Sequence, residues 1–326
     1  MILEEKELDT LNVKICRYSC DYNQEWNAFV DRSKNGTFLF DRDYIDYHQD
    51  RFTDFSLMFT LRNKIVALFP AEITDGCVTS HGGLTYGGLI VDEYMTPQLA
   101  LEIMHQLRFI CGEINTKILI YKTVPIIYHK TPTQEDLFAL TAFGANVIRR
   151  DLLMVIDYGK MFPMQERRRR ALKKAKPILI LCQPEFDRFW PILTDNLQNR
   201  YKRDPVHTVE EIRLLHARFP DNIRLYIGLL EGEIVGGAVV YKTDKVCHLQ
   251  YNATTDMGRE IGSMDVIIDY LIGQYKNQCA YFDLGSCSDA NFPWPFVNWG
   301  LIDYKGGFGA RTIIHDTYGL LIKEGG

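Results

Sequence analysis

The stretch Cys247–Gly273, CHLQYNATTDMGREIGSMDVIIDYLIG, decides how this chain is read. Its opening, with Val246 ahead of it, is strand-like and loses its apolar pattern toward Asn252. Its second part carries Ile261, Met264, Ile268, Leu271, Ile272 and, just beyond, Tyr275. That three- and four-residue spacing predicts one buried face of an amphipathic helix over 258–275. Between the two parts the chain is polar or small apart from Met257. A strand, a short loop and a helix with Gly258 and Gly262 in its first turns therefore follow one another. The first N–H groups of a helix lack internal partners and lie at the positive end of its dipole. Arg259 adds a guanidinium whose fork suits phosphate, so a pyrophosphate-bearing donor fits this place. The plain alternative is an ordinary connection with Asp256 as N-cap.

The chain has 326 residues, enough for two domains, and its 46% hydrophobic content suits a well-cored globular protein. A net charge of -5 gives no global reason to expect nucleic-acid binding. Its eight cysteines form no C-x-x-C pair and no His/Cys set with zinc spacing, so no metal is expected. The acidic start, MILEEKELDT, lacks the apolar region of a signal peptide. No apolar run approaches the ~20 residues of a membrane span. These features predict a reducing, cytoplasmic compartment.

Strand and helix signals recur along the chain. SLMFTL, a turn at Arg62-Asn63-Lys64 and IVALFPAEI form a hairpin, and Val78–Ser80 opens a further strand. A glycine-rich run, His81 to Val91, follows; Thr96-Pro97 then caps a helix whose buried face is Leu99, Ile103, Leu107, Cys111 and Ile114. Lys117 to Thr123 is the next strand. From Arg224 the same order returns: hairpin, strand, loop, helix, strand at Ala280–Leu284. Ile65-Val66 matches Ile234-Val235, and Asp75 matches Asp244, both at an offset of 169. This predicts a duplicated α/β (α+β) domain with mixed, mostly antiparallel sheets flanked by helices, divided as 1–158 and 159–326. After the division comes QERRRRALKKAKP. Its Arg167–Arg170, Lys173, Lys174 and Lys176 place seven positive charges in ten residues. They form either a solvated helix face or inter-domain connector, or a surface that steers a phosphate-rich partner.

The C-terminal stretch brings the motifs together. Q-Y-N-A-T at 250–254, G-R at 258–259, Y-F-D-L-G at 281–285, N-x-G-L at 298–301 and Y-K-x-x-F-G-A-R at 304–311 resemble the Fem-type acyltransferases of the GNAT superfamily. These include peptidoglycan-bridge aminoacyltransferases and CelD-like acetyltransferases. The resemblance spreads over roughly 220–320, and the S-H-x-G-L-T-Y-G-G run at 80–88 belongs with it. It implies tandem GNAT-like domains, the second catalytic and the first not. It further implies transfer of an acyl or aminoacyl group from acyl-CoA, acetyl-CoA or aminoacyl-tRNA to an amine, on a small molecule or a cell-wall precursor. Two departures stand out: Met264 occupies the last small position of the pyrophosphate signature, and prolines between 177 and 220 exclude a long helical arm.

Acyl transfer to an amine needs a neutral amine, a polarised carbonyl and correct placement of both. Placement alone supplies ~7–11 kcal/mol, and a general base adds ~10²–10⁴-fold. As donor-binding residues the sequence offers Gln250, Asn252, Gly258, Arg259, Gly262, Ser263 and Arg311. As catalytic residues it offers Asp283, on the strand where the sheet is expected to splay, Lys305 as a phosphate- or carboxylate-binding cation, and Tyr251 as an acid. Asp256 and Asp289 rank behind Asp283 as bases. His248 and His315 are weaker, since a lone strand histidine is usually structural. The alternative is a catalytically degenerate module that binds a phosphorylated ligand or a protein.

Overall fold

The computed structural model describes residues 11–289 and 291–322; the acidic segment 1–10 lies outside them. Chain contacts define two compact units. The first takes the described residues up to Arg150 and those from His315; the second is Asp151–Ile314.

In unit 1, strands β1 (Val13–Arg17), β2 (Leu57–Leu61), β3 (Lys64–Phe69) and β6 (Ile90–Val91) form one antiparallel sheet in that order. Helices α1 (Asn23–Arg32) and α2 (Arg42–Ile45) lie between β1 and β2 in sequence. Strands β4 (Glu72–Thr74), β5 (Cys77–Thr79) and β7 (Ile118–Lys122) form a second array. Helices α3 (Pro97–Glu113) and α4 (Glu135–Ala142) flank β7 in sequence. The Thr96 hydroxyl caps α3 by accepting from Leu99 N–H at 3.2 Å, as Thr96-Pro97 foretold. Phe59, Phe69, Ile103, Leu107 and Tyr121 are at the centre of this unit's core.

Strand β8 (Asn146–Asp157) leads into unit 2. Then come α5 (Glu166–Lys174), β9 (Leu179–Cys182), α6 (Phe186–Tyr201), α7 (Val209–Arg218), β10 (Ile223–Leu230), β11 (Glu233–Lys242) and β12 (Val246–Thr254). They are followed by α8 (Asp256–Glu260), α9 (Ser263–Tyr275), β13 (Tyr281–Ser286), α10 (Trp299–Gly306) and β14 (Arg311–Leu321). The unit 2 strands run β8-β13-β12-β11-β10-β9, antiparallel except β12 with β13. The contact boundary lies at Arg150/Asp151 rather than at 158/159. Strand pairing is the reason: β8 from Leu153 to Asp157 joins β13, and β14 from Thr317 to Leu321 joins β7 of unit 1.

The offset of 169 recurs in backbone detail. The turn of the β2–β3 hairpin has Arg62 and Asn63 at φ 51° and 61°; that of β10–β11 has Glu231 and Gly232 at 52° and 88°. One β-bulge falls between Phe59 and Thr60, another between Gly228 and Leu229. The parallel pairing Cys77–Thr79 on Ile118–Ile120 has its counterpart in Val246–His248 on Tyr281–Asp283. The two units differ at Pro70. Where unit 2 has the long strand β11, unit 1 has β3 and β4, because proline has no N–H for the ladder.

The helix expected over 258–275 is two helices. Gly262 sits in the left-handed region at φ 76°, a conformation side chains with a Cβ resist, and breaks the run into α8 and α9. Thr255, not Asp256, is the N-cap of α8, its hydroxyl accepting from Gly258 N–H at 3.0 Å. α6 continues through Pro191, and no helical arm leaves the unit 2 segment 165–220.

Candidate active site

The site is built on β12. A bulge opposite Val239/Val240 leaves Gln250 without a partner on β11. Strand side chains alternate faces, so Leu249 and Tyr251 should share one. The bulge separates them. Leu249 joins the core formed with Ile267, Leu271 and Tyr275 of α9. Tyr251 packs edge-on against Trp190 of α6, with ring centroids 5.5 Å apart. Pairing between β12 and β13 stops at the rung His248↔Asp283. Beyond it, among the described residues, β12 has no ladder partner on that side. Gly285, at φ 80°, turns the end of β13.

At this last rung His248 Nδ1 lies 2.9 Å from Asp283 Oδ2, and Asp283 Oδ1 accepts from Gly285 N–H at 2.7 Å. Asp283 is 1% exposed. Both its oxygens are engaged, so the carboxylate fixes the orientation of the imidazole through Nδ1 and leaves Nε2 on the far side of the ring. The corresponding rung of unit 1 is Thr79↔Ile120, which carries neither group.

Further along β12 a cavity of about 350 Å³ is lined by Asn252, Ala253, Thr254, Gly258, Arg259, Gly262 and Met264. Asn196 and Arg200 of α6, Asp265 of α9 and Leu301 and Tyr304 of α10 complete it. No side chain caps the first turn of α9, so its N–H groups are the natural anion seat. Arg259 pairs with the exposed Asp256 at 2.7 Å. Asp265 is held by Arg168 at 2.5 Å and by the Tyr304 hydroxyl at 2.8 Å. Asn196 fixes the end of β12 by donating to Thr254 O at 2.7 Å.

The structure thus gathers Asn252, Gly258, Arg259 and Gly262 around one cavity. It sends the other sequence candidates elsewhere. Ser263 is buried and donates to Val235 O. Gln250 is the bulge residue and does not line the cavity. Arg311 is exposed and lies over the Phe162 ring at 3.9 Å, where a phosphate-binding role beside Lys305 was expected. Lys305 Nζ donates to Gly285 O at 3.0 Å and Ser286 O at 2.9 Å, anchoring the turned end of β13. Burial lowers its pKa. Tyr251 meets His207 Nδ1 at 2.6 Å, and burial pushes its hydroxyl up to about 12. Asp289 pairs with Arg203, and His315, in unit 1, meets Thr123 O at 2.9 Å. Sequence reasoning missed Arg200 and Asn196, which lie on a helix with no motif of its own. Trp294 and Trp299 are exposed.

The basic segment forms α5. Arg167 pairs with Asp303, Arg169 with Glu166, and Arg168 packs inward over the Tyr304 and Phe308 rings. Arg170, Lys173, Lys174 and Lys176 are exposed. Among the described residues no group of His, Cys, Asp and Glu is arranged to hold a metal, and no helix is long and apolar enough to cross a membrane.

Residues 165–305 match the family described as the acetyltransferase (GNAT) domain. The match lies within unit 2, and the α/β architecture of helix-flanked mixed sheets is shared with a solved tandem GNAT protein. In solved structures the whole-chain fold resembles FemX, at 11% identity and TM-score 0.66 over 94% of this chain and 97% of that one. It also resembles L-PGS from Bacillus licheniformis, at 12% identity and TM-score 0.58 over 94% and 92%. A tandem GNAT protein from the clavulanic acid biosynthesis pathway shares 10% identity at TM-score 0.54 over 97% and 100%. No curated protein matches.

Proposed function

We propose that the chain is an N-acyltransferase whose unit 2 moves an acyl group from an acyl-CoA to an amine, unit 1 being non-catalytic. The observation that carries this reading is the His248–Asp283 pair at the point where β12 and β13 part. The donor's pyrophosphate would sit at the first turn of α9 with Arg259 and Arg200, and its thioester arm would run back beside β12. From Asn252 to His248 is four residues, about 13 Å of strand, a distance that an extended arm spans. The amine nitrogen attacks the carbonyl carbon, the carbon–sulfur bond breaks, and the donor leaves as thiolate. His248 Nε2 takes the amine proton, and Asp283 stabilises the imidazolium. Free N–H groups on the unpaired edge of β12 polarise the carbonyl, an effect worth about 3–4 kcal/mol.

A thermal-shift titration with CoA, acetyl-CoA and longer acyl-CoAs tests the donor. Ligand at a hundred times its Kd adds ~2.7 kcal/mol, several degrees in a chain of this size. The reading expects a shift that Arg259→Glu cuts to about half at the same ligand concentration; no shift with any thioester rejects it.

One feature favours aminoacyl-tRNA as a second donor. Lys176 N–H donates to Ile261 O at 3.1 Å, so the basic segment ends beside the Gly262 turn of the same cavity. In that case binding of charged tRNA falls steeply with salt, and the slope flattens when Arg170, Lys173 and Lys174 are neutralised. The acceptor would be an amine on a small molecule or a cell-wall precursor.

A further inference from the structure

The loop between β13 and α10 turns its apolar side chains outward. Residues 292–297 read FPWPFV and carry no charge. Pro293, Trp294, Pro295 and Phe296 are exposed in succession, Trp294 at 82%, and Trp299 just beyond them is 64% exposed. Single exposed apolar residues are ordinary, whereas a contiguous exposed run marks a surface that meets something. The backbone of the loop is tied. Asp289 N–H donates to Phe296 O at 2.8 Å, Phe296 N–H donates to Pro293 O at 2.7 Å, and Ser288 bridges to Val297. Phe296 stands at φ 61°, a conformation that bulky side chains rarely take. The tied backbone thus holds Trp294 and Phe296 out to solvent while the next residue, Val297, is buried.

This aromatic surface adjoins the basic one. Trp299 and Asp303 are four residues apart on α10 and so share a face. Asp303 pairs with Arg167 of α5. On α5, Arg170 and Lys174 follow Arg167 at three- and four-residue steps and share its face in turn. The ion pair therefore joins the aromatic end of α10 to the basic face of α5. Asp303, Glu166 and Asp289 each meet an arginine, Arg167, Arg169 and Arg203 respectively. Arg170, Lys173, Lys174 and Lys176 are exposed beyond those pairs, so α5 presents net positive charge.

The two chemistries together select the partner. Cations alone fit any polyanion, and an aromatic run alone fits any apolar face. A bilayer with anionic headgroups meets both: its phosphates take the cations, and Trp and Phe settle at the boundary between headgroups and acyl chains. A nucleic acid would use the cations but has no apolar layer to receive Pro293–Phe296 as a block.

We propose that unit 2 docks on an anionic lipid bilayer through this surface. Trp294, Phe296 and Trp299 seat among the headgroups, and Arg170, Lys173 and Lys174 pair with lipid phosphates. The inference stands apart from the acyl-CoA reading, since none of these six residues lines the donor cavity.

Flotation of the full chain with vesicles of phosphatidylcholine, alone or mixed with phosphatidylglycerol, tests it. Partition to the anionic vesicles should exceed that to the neutral ones by at least about tenfold. Trp294→Ser combined with Phe296→Ser should lower it about tenfold or more, and should keep the wild-type thermal midpoint because both side chains are exposed. Lys173→Glu combined with Lys174→Glu should lower it as far and flatten its dependence on salt. Brominated lipid should quench the tryptophan fluorescence of wild type but not of Trp294→Ser combined with Trp299→Ser, as Trp26 and Trp190 are buried. Absence of flotation with anionic vesicles at millimolar lipid overturns the proposal, as does equal partition to neutral ones. Flotation indifferent to the Trp294→Ser, Phe296→Ser change overturns it by leaving adsorption to charge alone. Binding of tRNA that depends on Trp294 and Phe296, without flotation, overturns it by giving the face to a nucleic acid.

Discussion

His248 Nδ1 and Asp283 Oδ2 stand 2.9 Å apart on neighbouring parallel strands, at the last rung before those strands separate. The two residues are 35 apart in sequence. Only the pairing of β12 with β13 brings them together, and only in unit 2, since Thr79 and Ile120 hold the equivalent rung of unit 1.

On the proposed mechanism, removing the imidazole removes the base. His248→Ala should lower kcat by ~10²–10⁴-fold with little change in the donor's KM. Asp283→Asn should retain donor binding and lose a smaller factor, with the pH–rate profile displaced. Steady-state kinetics with a fixed amine would show an unchanged kcat in His248→Ala if the assignment is wrong.

In the proposed function Arg259 and Arg200 act on the donor alone. Either one changed to Glu should raise the donor's KM by about tenfold, since each reverses a charge at the phosphate seat. The amine's KM should stay constant. A kcat loss without a KM change would move both residues out of this role.

Lys305 has a structural task here. Lys305→Met leaves the Gly285 and Ser286 carbonyls without their donor, which should cost roughly 1–3 kcal/mol. Denaturant unfolding measures that loss. Wild-type stability in this variant would free Lys305 for the ligand-binding role that its sequence context suggests.

Tyr251 offers a contrast. Tyr251→Phe removes the hydroxyl facing His207 and should cost about 1–3 kcal/mol of stability, while kcat stays near wild type. A large kcat loss with normal stability would restore Tyr251 as an acid.

In unit 1, acid should act through His81. Burial, then the neighbouring His48, holds it down from an ordinary 6.5 to about 3. Between those values the unfolded chain binds more protons than the folded one, so its contribution to stability falls as pH falls. The difference in unfolding free energy between wild type and His81→Asn should therefore rise from pH 4 to 6.5. A difference flat across that window would mean that His81 is already protonated in the fold.

Much of this architecture was legible from periodicity and turns. The hairpins, the Thr96-Pro97 cap and the 169-residue offset follow from local chemistry, which the sequence states directly. Gly262 was visible as a residue for close approach but not as a break, because Ile261 and Met264 keep helical spacing across it. The bulge at Gln250 had no sequence mark, yet it decides that Tyr251 faces α6. Lys305 and Arg311 read as ligands because sequence shows charge and not its partners: two carbonyls for one, the Phe162 ring for the other. His248 looked structural for the same reason, its partner lying on another strand.

The most direct test of the account is thiol release from acetyl-CoA by the purified chain, followed spectrophotometrically against a panel of amines, for wild type and His248→Ala side by side. The account predicts amine-dependent release by wild type and loss of at least ~10²-fold in the variant. Equal release by both proteins, or none from wild type with any amine although the thioester binds, would contradict it.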